Sequence, residues 1–260
     1  SLSTDEDVDL SISVAELLSN DSDIDGDSLS VTSFTQPLHG TLVDHGDGTW
    51  TYSPDENFAG ADSFTYTVDD GSGNTRNATV TITVDAINDE PVLAVPADQT
   101  VDEDTVLNFP AITITDVDAA GGDLQVSLSV GHGTLTLGDT MGLNLTQGDG
   151  DRDAALTFTG TLDDLNTALA TLSYQGDEHY NGADQLTVTV DDLGNTGSGN
   201  NLVDTETVNI TVEAVNDEPV LAVPADQTVD EDTVLERKST RLNSSHRGIA
   251  EDLVSLAVGG

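Results

Sequence analysis

Residues 52–70, YSPDENFAGADSFTYTVDD, align without a gap on residues 174–192, YQGDEHYNGADQLTVTVDD, at an offset of 122. Each copy carries Asp-Glu, then Gly-Ala-Asp, then a stretch in which apolar residues alternate with Thr before Val-Asp-Asp. Phe64, Tyr66 and Val68 alternate with Thr65 and Thr67, and downstream Val80, Ile82 and Val84 alternate with Thr79, Thr81 and Thr83. Side chains on a strand point to opposite faces with a period of two, so these stretches predict strands buried on one face. Further strands are predicted at 29–34, 40–43 and 49–52, divided by Gly, Asp, Asn and Pro. The sole tryptophan, Trp50, is read as core, with Tyr52 opposed to it through a register shift or a bulge. Short strands separated by turn residues predict an all-β chain of antiparallel Greek-key β-sandwiches.

A second repeat divides the chain. NDEPVLAVPADQTVDEDTVL fills residues 88–107 and recurs letter for letter at 216–235. An identity of that length marks a module junction. It gives one module at 1–87, a longer one at 88–215, the truncated start of a third at 216–235, and a tail at 236–260. His39-Gly40-Thr41-Leu42 recurs as His132-Gly133-Thr134-Leu135 at an offset of 93, so the second module holds 29 more residues between this motif and the one above. Within them Thr161-Leu162-Asp163-Asp164 has the form of a helix start, and Leu162, Leu165, Leu169 and Leu172 fall at helical spacing. A short inserted helix is predicted, packed on the sandwich edge with its leucines in the core. Ser13-Val14-Ala15-Glu16 has the form of a capping box and predicts one or two helical turns through Leu17 and Leu18. The tail breaks the composition, since Arg237 to Arg247 holds four of the six basic residues. Arg237 to His246 resembles a translated sequencing-library adapter, and the tail is assigned no function.

Charge narrows the function classes. There are 49 Asp and Glu against 6 Lys and Arg, a net charge of −43. Nucleic acid and anionic membrane surfaces both need basic contacts, so neither is expected as a partner. Hydrophobic residues still make up 36% of the chain, and their alternation can bury a core. No apolar run reaches the roughly 18 residues of a membrane span, and the chain reads as a soluble internal piece of something longer. Cysteine is absent, which removes disulfides, zinc ribbons and thiol nucleophiles. A cysteine-free, Thr-rich, acidic chain of tandem β modules fits an exported bacterial surface protein.

The carboxylates are clustered, and the clusters recur. Asp-Glu-Asp stands near each module start, at 5–7, 102–104 and 230–232. Asp23 and Asp25 correspond to Asp116 and Asp118, and Asp69 and Asp70 to Asp191 and Asp192. The junctions carry Asp85, Asn88, Asp89 and Glu90, then Glu213, Asn216, Asp217 and Glu218. Carboxylates about 4 Å apart repel by roughly 1 kcal/mol in water and about 4 at a partly screened surface, so such gatherings point to a cation. Oxygen-only donors at flexible geometry select Ca²⁺. Asp21, Asp23, Asp25 and Gly26 match the opening of an EF-hand loop, but Thr32 stands where that loop needs a bidentate Glu. No Gly-x-Ser-x-Gly, His-Glu-x-x-His or phosphate loop is present, so no enzyme activity is expected. His39 and His132 are read as turn or packing residues and His179 as exposed. Asp55-Glu56 and Asp177-Glu178 are adjacent in sequence and suggest no paired acid and base.

Asp85-Ala86-Ile87-Asn88-Asp89-Glu90-Pro91 resembles the calcium-binding linker of cadherins, Asp-x-Asn-Asp-Asn-x-Pro, with one extra residue before the Asn and Glu90 for the second Asn. Residues 1–235 are similar to the cadherin-like tandem repeats of large bacterial surface proteins and secreted adhesins. The resemblance implies cadherin- or immunoglobulin-like sandwiches and a Ca²⁺ ligand set. That set is drawn from Glu6, Asp23, Asp25, Asp69, Asp70, Asp85, Asn88, Asp89, Glu90, Glu103, Asp116, Asp118, Asp191, Asp192, Asn216, Asp217 and Glu218. It also implies an extracellular rod stiffened by ions, whose partners are neighbouring repeats, with a surface protein or glycan bound through other parts of the parent protein. The alternative reading is a calcium-dependent carbohydrate- or protein-binding sandwich.

Overall fold

The computed structural model describes residues 1–119, 121–194 and 196–219. Residues 1–216 form one compact unit and a second begins at Asp217. The remainder of the third repeat, with its Asp230 to Asp232, and the basic stretch from Arg237 lie outside the described residues.

The first sandwich is built from β1 (Leu2–Asp5), β2 (Leu10–Ser13), α1 (Val14–Leu17), β3 (Ser30–Phe34), β4 (Gly40–Asp44), β5 (Thr49–Pro54), β6 (Gly60–Asp69) and β7 (Thr75–Asp85). One sheet has the order β1-β7-β6-β3 and the other β2-β5-β4. The pairings are antiparallel except that of β1 with β7, which is parallel from Leu2 opposite Ile82 to Asp5 opposite Asp85. Alternation does what the sequence predicts: Phe64, Tyr66 and Val68 on β6 and Ile82 and Val84 on β7 are buried between the sheets. Trp50 is core as expected, against Phe34 and Phe64. Its relation to Tyr52 differs from the sequence reading. Both rings are buried on one face, and β5 pairs with β4 and β2 without a register shift, because residues two apart on a regular strand share a face. The register break in this sandwich falls on edge strand β3, between Val31 and Ser33. Helix α1 and a 3₁₀ turn at Leu18–Asn20 form where predicted. Ser13 is the N-cap, but its hydroxyl makes no capping bond; the first helical N–H, of Val14, donates to Gly48 O at 3.0 Å.

The second sandwich adds to this plan. Its strands are β8 (Val92–Ala94), β9 (Gln99–Asp102), β10 (Val106–Asn108), β11 (Thr113–Thr115), β12 (Asp123–Ser129), β13 (Gly133–Leu137), β14 (Asn144–Gln147) and β15 (Ala155–Thr161). Helix α2 (Leu162–Leu169), β16 (Leu172–Gly176), β17 (Gly182–Asp191) and β18 (Val203–Glu213) complete it. A six-stranded sheet, β14-β15-β12-β17-β18-β9, faces a three-stranded one, β10-β16-β13, and β8 pairs with β11. The parallel edge recurs, with β9 on β18. The long insertion replaces the four-residue turn after β4, and besides the expected helix it supplies β14 and β15, which widen the larger sheet. Edge strand β14 also breaks register, between Leu145 and Gln147.

Thr161 caps α2 by accepting the Asp164 N–H. Leu165 and Leu169 are fully buried in the core and Leu162 packs beside it, as predicted. Leu172 is also buried but belongs to β16, because the chain leaves the helix after Leu169. The Asn166 carboxamide acts as a strand partner for Ile114, accepting from its N–H (2.8 Å) and donating to its carbonyl (3.0 Å). Each sandwich has its own hydrophobic core.

Candidate metal centre

Two motifs that recur in both sandwiches serve folding. The Gly-Ala-Asp carboxylate is buried in both sandwiches. Asp62 accepts from the N–H groups of Leu38, His39 and Ser63 and from the Tyr52 hydroxyl at 2.7–3.0 Å. Asp184 accepts from Gly131, His132, Gln185 and the Tyr174 hydroxyl at 2.8–2.9 Å. Burial pushes each carboxyl's pKa up, but the donors outweigh it and hold both below the usual range. Burial and the adjoining carboxylate push the Tyr52 and Tyr174 hydroxyls well above theirs. The His-Gly motif marks a close approach. A Cβ on Gly40 would lie 2.6 Å from Ser53 O, and one on Gly133 2.5 Å from Gln175 O, each also against the following tyrosine ring. His39 stacks on Phe58 and His132 on Tyr180, with centroids 4.3 Å apart, which is the packing role expected. His179 is exposed, its Nδ1 3.4 Å from Asp104.

The linker between the sandwiches gathers carboxylates from three places. Glu6 sits in the turn after β1, its side chain buried; its N–H donates to Asp85 O (2.9 Å) and its Oε1 accepts from Ile87 N–H (2.6 Å). Asp89 follows two residues later, and its N–H donates to Asp118 Oδ2 at 2.6 Å. Asp118 is itself turned by its N–H to Asp116 Oδ1 (2.8 Å). One oxygen each of Glu6, Asp89 and Asp118 lies within 4.8 Å of the others. Beside them Asn88 is 93% buried, its Nδ2 donating to Asp192 Oδ2 (2.5 Å) and Asn200 O (3.2 Å). Asn88 Oδ1 and Asp89 Oδ2 are buried with no hydrogen-bond partner among the described residues.

Electrostatics follow from that crowding. Burial raises the Glu6 pKa, Asp118, Asp89 and Asp7 add to the rise, and the Ile87 N–H opposes it. Asp89 is raised by burial, then by Asp118 and Asp7; Asp116 by burial, with Asp118 and Asp192 adding. Two orphaned oxygens amid mutually repelling carboxylates form an all-oxygen donor set with a deficit of positive charge, which fits a hard divalent cation such as Ca²⁺.

The other candidate ligands are distributed by strand direction. Asp85 ends β7 with its side chain exposed, and Glu90 is exposed beyond Asp89. Asp69 and Asp191 each close their hairpin by accepting an N–H two residues on, from Gly71 (2.7 Å) and Leu193 (2.8 Å). Asp23 and Asp25 lie with Asp70 at the end of the first sandwich away from Glu6, lining one depression with Asp21, Asn74 and Arg76. There Asp23 Oδ1 accepts from Asp25 and Asp27 N–H, and Asp70 is held low by Asn74. Glu103 repeats the Glu6 arrangement at the far end of the second sandwich: its N–H donates to Glu213 O (2.8 Å) and its Oε1 accepts from Val215 N–H (2.6 Å). Asn216, Asp217 and Glu218 are exposed. Sequence reasoning missed Asp7 as a contributor of charge, and missed residues 196–200, which touch the linker. Asp7 was visible within its Asp-Glu-Asp cluster; the Gly, Ser and Asn of the loop carried no signal beyond that of a turn.

Among solved structures, the EC1-2 fragment of human protocadherin-24 is 15% identical with a TM-score of 0.40, covering 74% of this chain and 85% of that one. Mouse cadherin-23 EC22-24 is 18% identical with a TM-score of 0.37, covering 76% and 57%. An endo-fucoidan hydrolase of glycoside hydrolase family 107 is 21% identical with a TM-score of 0.23, covering 74% and 24%. No curated protein matches the sequence. Residues 1–85 match the model of a family described as the cadherin-like domain, and the family likeness of the chain rests on that match.

Proposed function

We propose that the chain is a non-catalytic structural repeat region of an extracellular adhesin, secreted or attached to a bacterial surface. Its modules span 1–87 and 88–215, and Ca²⁺ at each junction fixes one module against the next. The observation that carries this reading is the meeting of Glu6, Asp89 and Asp118 within 4.8 Å beside the partnerless oxygens of Asn88 and Asp89. Those residues, with Asp116 and Asp192 behind them, would hold the ion. Bound there, Ca²⁺ supplies the positive charge that offsets repulsion between modules. Asp23 and Asp25 with Asp70 would serve the preceding junction, and Glu103, which already holds the Val215 N–H, the next.

Neighbouring repeats are then the immediate partners, and any surface protein or glycan is met by other parts of the parent protein. The net charge of −43 supports neither nucleic acid nor anionic membrane as partner. Among the described residues no helix is long and apolar enough to cross a membrane. All ten aromatic side chains are buried or half-buried, which weighs against a glycan-stacking platform on these sandwiches.

The test is thermal unfolding and small-angle scattering of the full chain in chelator and in millimolar Ca²⁺. Ligand at about a hundred times its dissociation constant stabilises by roughly 2.7 kcal/mol per site, so a rise in Tm together with elongation is expected. An unchanged Tm and scattering profile would refute the reading.

A further inference from the structure

We infer that residues 196–200, in the loop between Asp192 and Leu202, are a cation-independent receptor for the linker entering the second sandwich, gripping it through the main chain. This goes beyond the calcium reading and does not rest on it. Both sandwiches close their last hairpin alike: Asp70 N–H donates to Asn74 O (3.3 Å) and Asp192 N–H to Leu202 O (3.2 Å). In each, the aspartate Oδ1 accepts two further loop amides, from Ser72 and Asn74 or from Gly194 and Leu202. Between these shared anchors the first sandwich has three residues, 71–73, and the second has nine, 193–201.

The added length reaches the linker. Ser198 N–H donates to Ala86 O (2.8 Å) and Asn88 N–H to Ser198 O (3.1 Å), a parallel β-bridge with Ile87 opposite Ser198. Asn200 O accepts from the Asn88 side chain, and the Thr196 hydroxyl donates to Asp118 O. Gly197 has φ +82°, and a Cβ there would lie 2.5 Å from Ile87 C and 2.6 Å from Asn88 N, so the approach requires glycine. The two bridge bonds join main-chain groups and need no carboxylate to be neutralised. The partner that this loop fits is therefore an extended segment offering a free carbonyl and a free N–H two residues apart, the chemistry of strand addition. Modules with the long loop should hold their incoming linker in chelator; modules closed like the first, by Gly-Ser-Gly, should depend on side chains at the junction.

Amide hydrogen exchange on the full chain in excess chelator tests this. In the parent chain the Asn88 and Ser198 amides should exchange on the order of tenfold or more slowly than in two variants. One variant replaces residues 193–201 with the Gly-Ser-Gly of the first sandwich; the other is Gly197→Val. Val126 and Val188, on central strands, report that the second sandwich remains folded. Free exchange of Asn88 and Ser198 in the parent, or protection that survives the loop replacement, overturns the inference. The readings also separate. Protection that arises only with Ca²⁺ removes the latch and leaves the cation site; protection in chelator without a Ca²⁺-induced rise in Tm does the reverse.

Discussion

Asp89→Asn should stabilise the protein without calcium and weaken its response to calcium. The substitution suits the question because Asp89 Oδ2 has no hydrogen-bond partner among the described residues, so charge is removed without breaking a bond at that atom. Asp89 faces Glu6 and Asp118 at no more than 4.8 Å. At that separation a pair of like charges repels by about 1 kcal/mol under water-like screening and by about 3.5 at the screening of a protein surface. Asp89 is half-buried, so the water-like figure is a lower bound, and removing two pairs gains at least about 2 kcal/mol. For a unit of this size that is a rise in Tm of roughly 4–8 °C in chelator. In calcium at about a hundred times the parent dissociation constant, the parent gains roughly 2.7 kcal/mol; a site weakened about a hundredfold gains about 0.4. The variant should therefore start higher and respond less, so that the difference closes. Scanning calorimetry of both chains in chelator and in Ca²⁺ measures all four values. A variant that melts lower in chelator, or two chains with equal calcium shifts, would refute the reasoning.

Stability in chelator should pass through a maximum with pH. Glu6, Asp89 and Asp116 have raised folded-state pKa values, so the folded chain binds protons more tightly and gains stability as pH falls from neutral towards about 4. Asp62 and Asp184 are held low, so their contribution is complete above the unfolded value of about 4 and is lost as pH falls through the depressed folded values. Urea midpoints that decline steadily from pH 7 would contradict this. Asp184→Ala strands three main-chain donors, the Tyr174 hydroxyl keeping the His132 carbonyl, and should cost about 3 kcal/mol or more, against about 1 for Tyr174→Phe, which leaves the carboxylate three donors; equal urea midpoints for the two variants would count against the network. Leu165→Ala should cost about 2–5 kcal/mol, because the side chain is fully buried. A loss near zero would show that α2 does not contribute to the core.

What could be read in advance was whatever depends on near neighbours in sequence. Phe64, Tyr66 and Val68 announce a half-buried strand by their spacing alone, and Leu165 and Leu169 a helix face. Asn88 and Asp89 were legible because the junction repeats. Residues that act across long stretches of chain were not. Glu6 reaches Ile87, Asp89 meets Asp118, and Ser198 bridges Ile87, contacts that no local pattern encodes. The hairpin of β14 and β15 escaped because Asn144–Gln147 is a short, mostly polar strand whose partner is fixed only once β12 is in place. Asp62 and Asp184 look like turn residues; their meaning lies in the four donors that converge on each.

The breaks in register on β3 and β14 bear on how such a chain avoids misfolding. Strand edges present unpaired N–H and C=O groups that another chain can extend. In a tandem array the nearest competitor is a module of similar sequence tethered a few nanometres away, at an effective concentration on the order of millimolar. The stretch 88–107 recurs without change at 216–235, so wrong pairings would find matching side chains. Each sandwich ends its larger sheet on a strand whose ladder is interrupted, between Val31 and Ser33 or between Leu145 and Gln147. The opposite edges, β1 and β9, are four residues each. Along the larger-sheet edges of the described residues, a neighbouring repeat therefore meets no long, regular ladder to join.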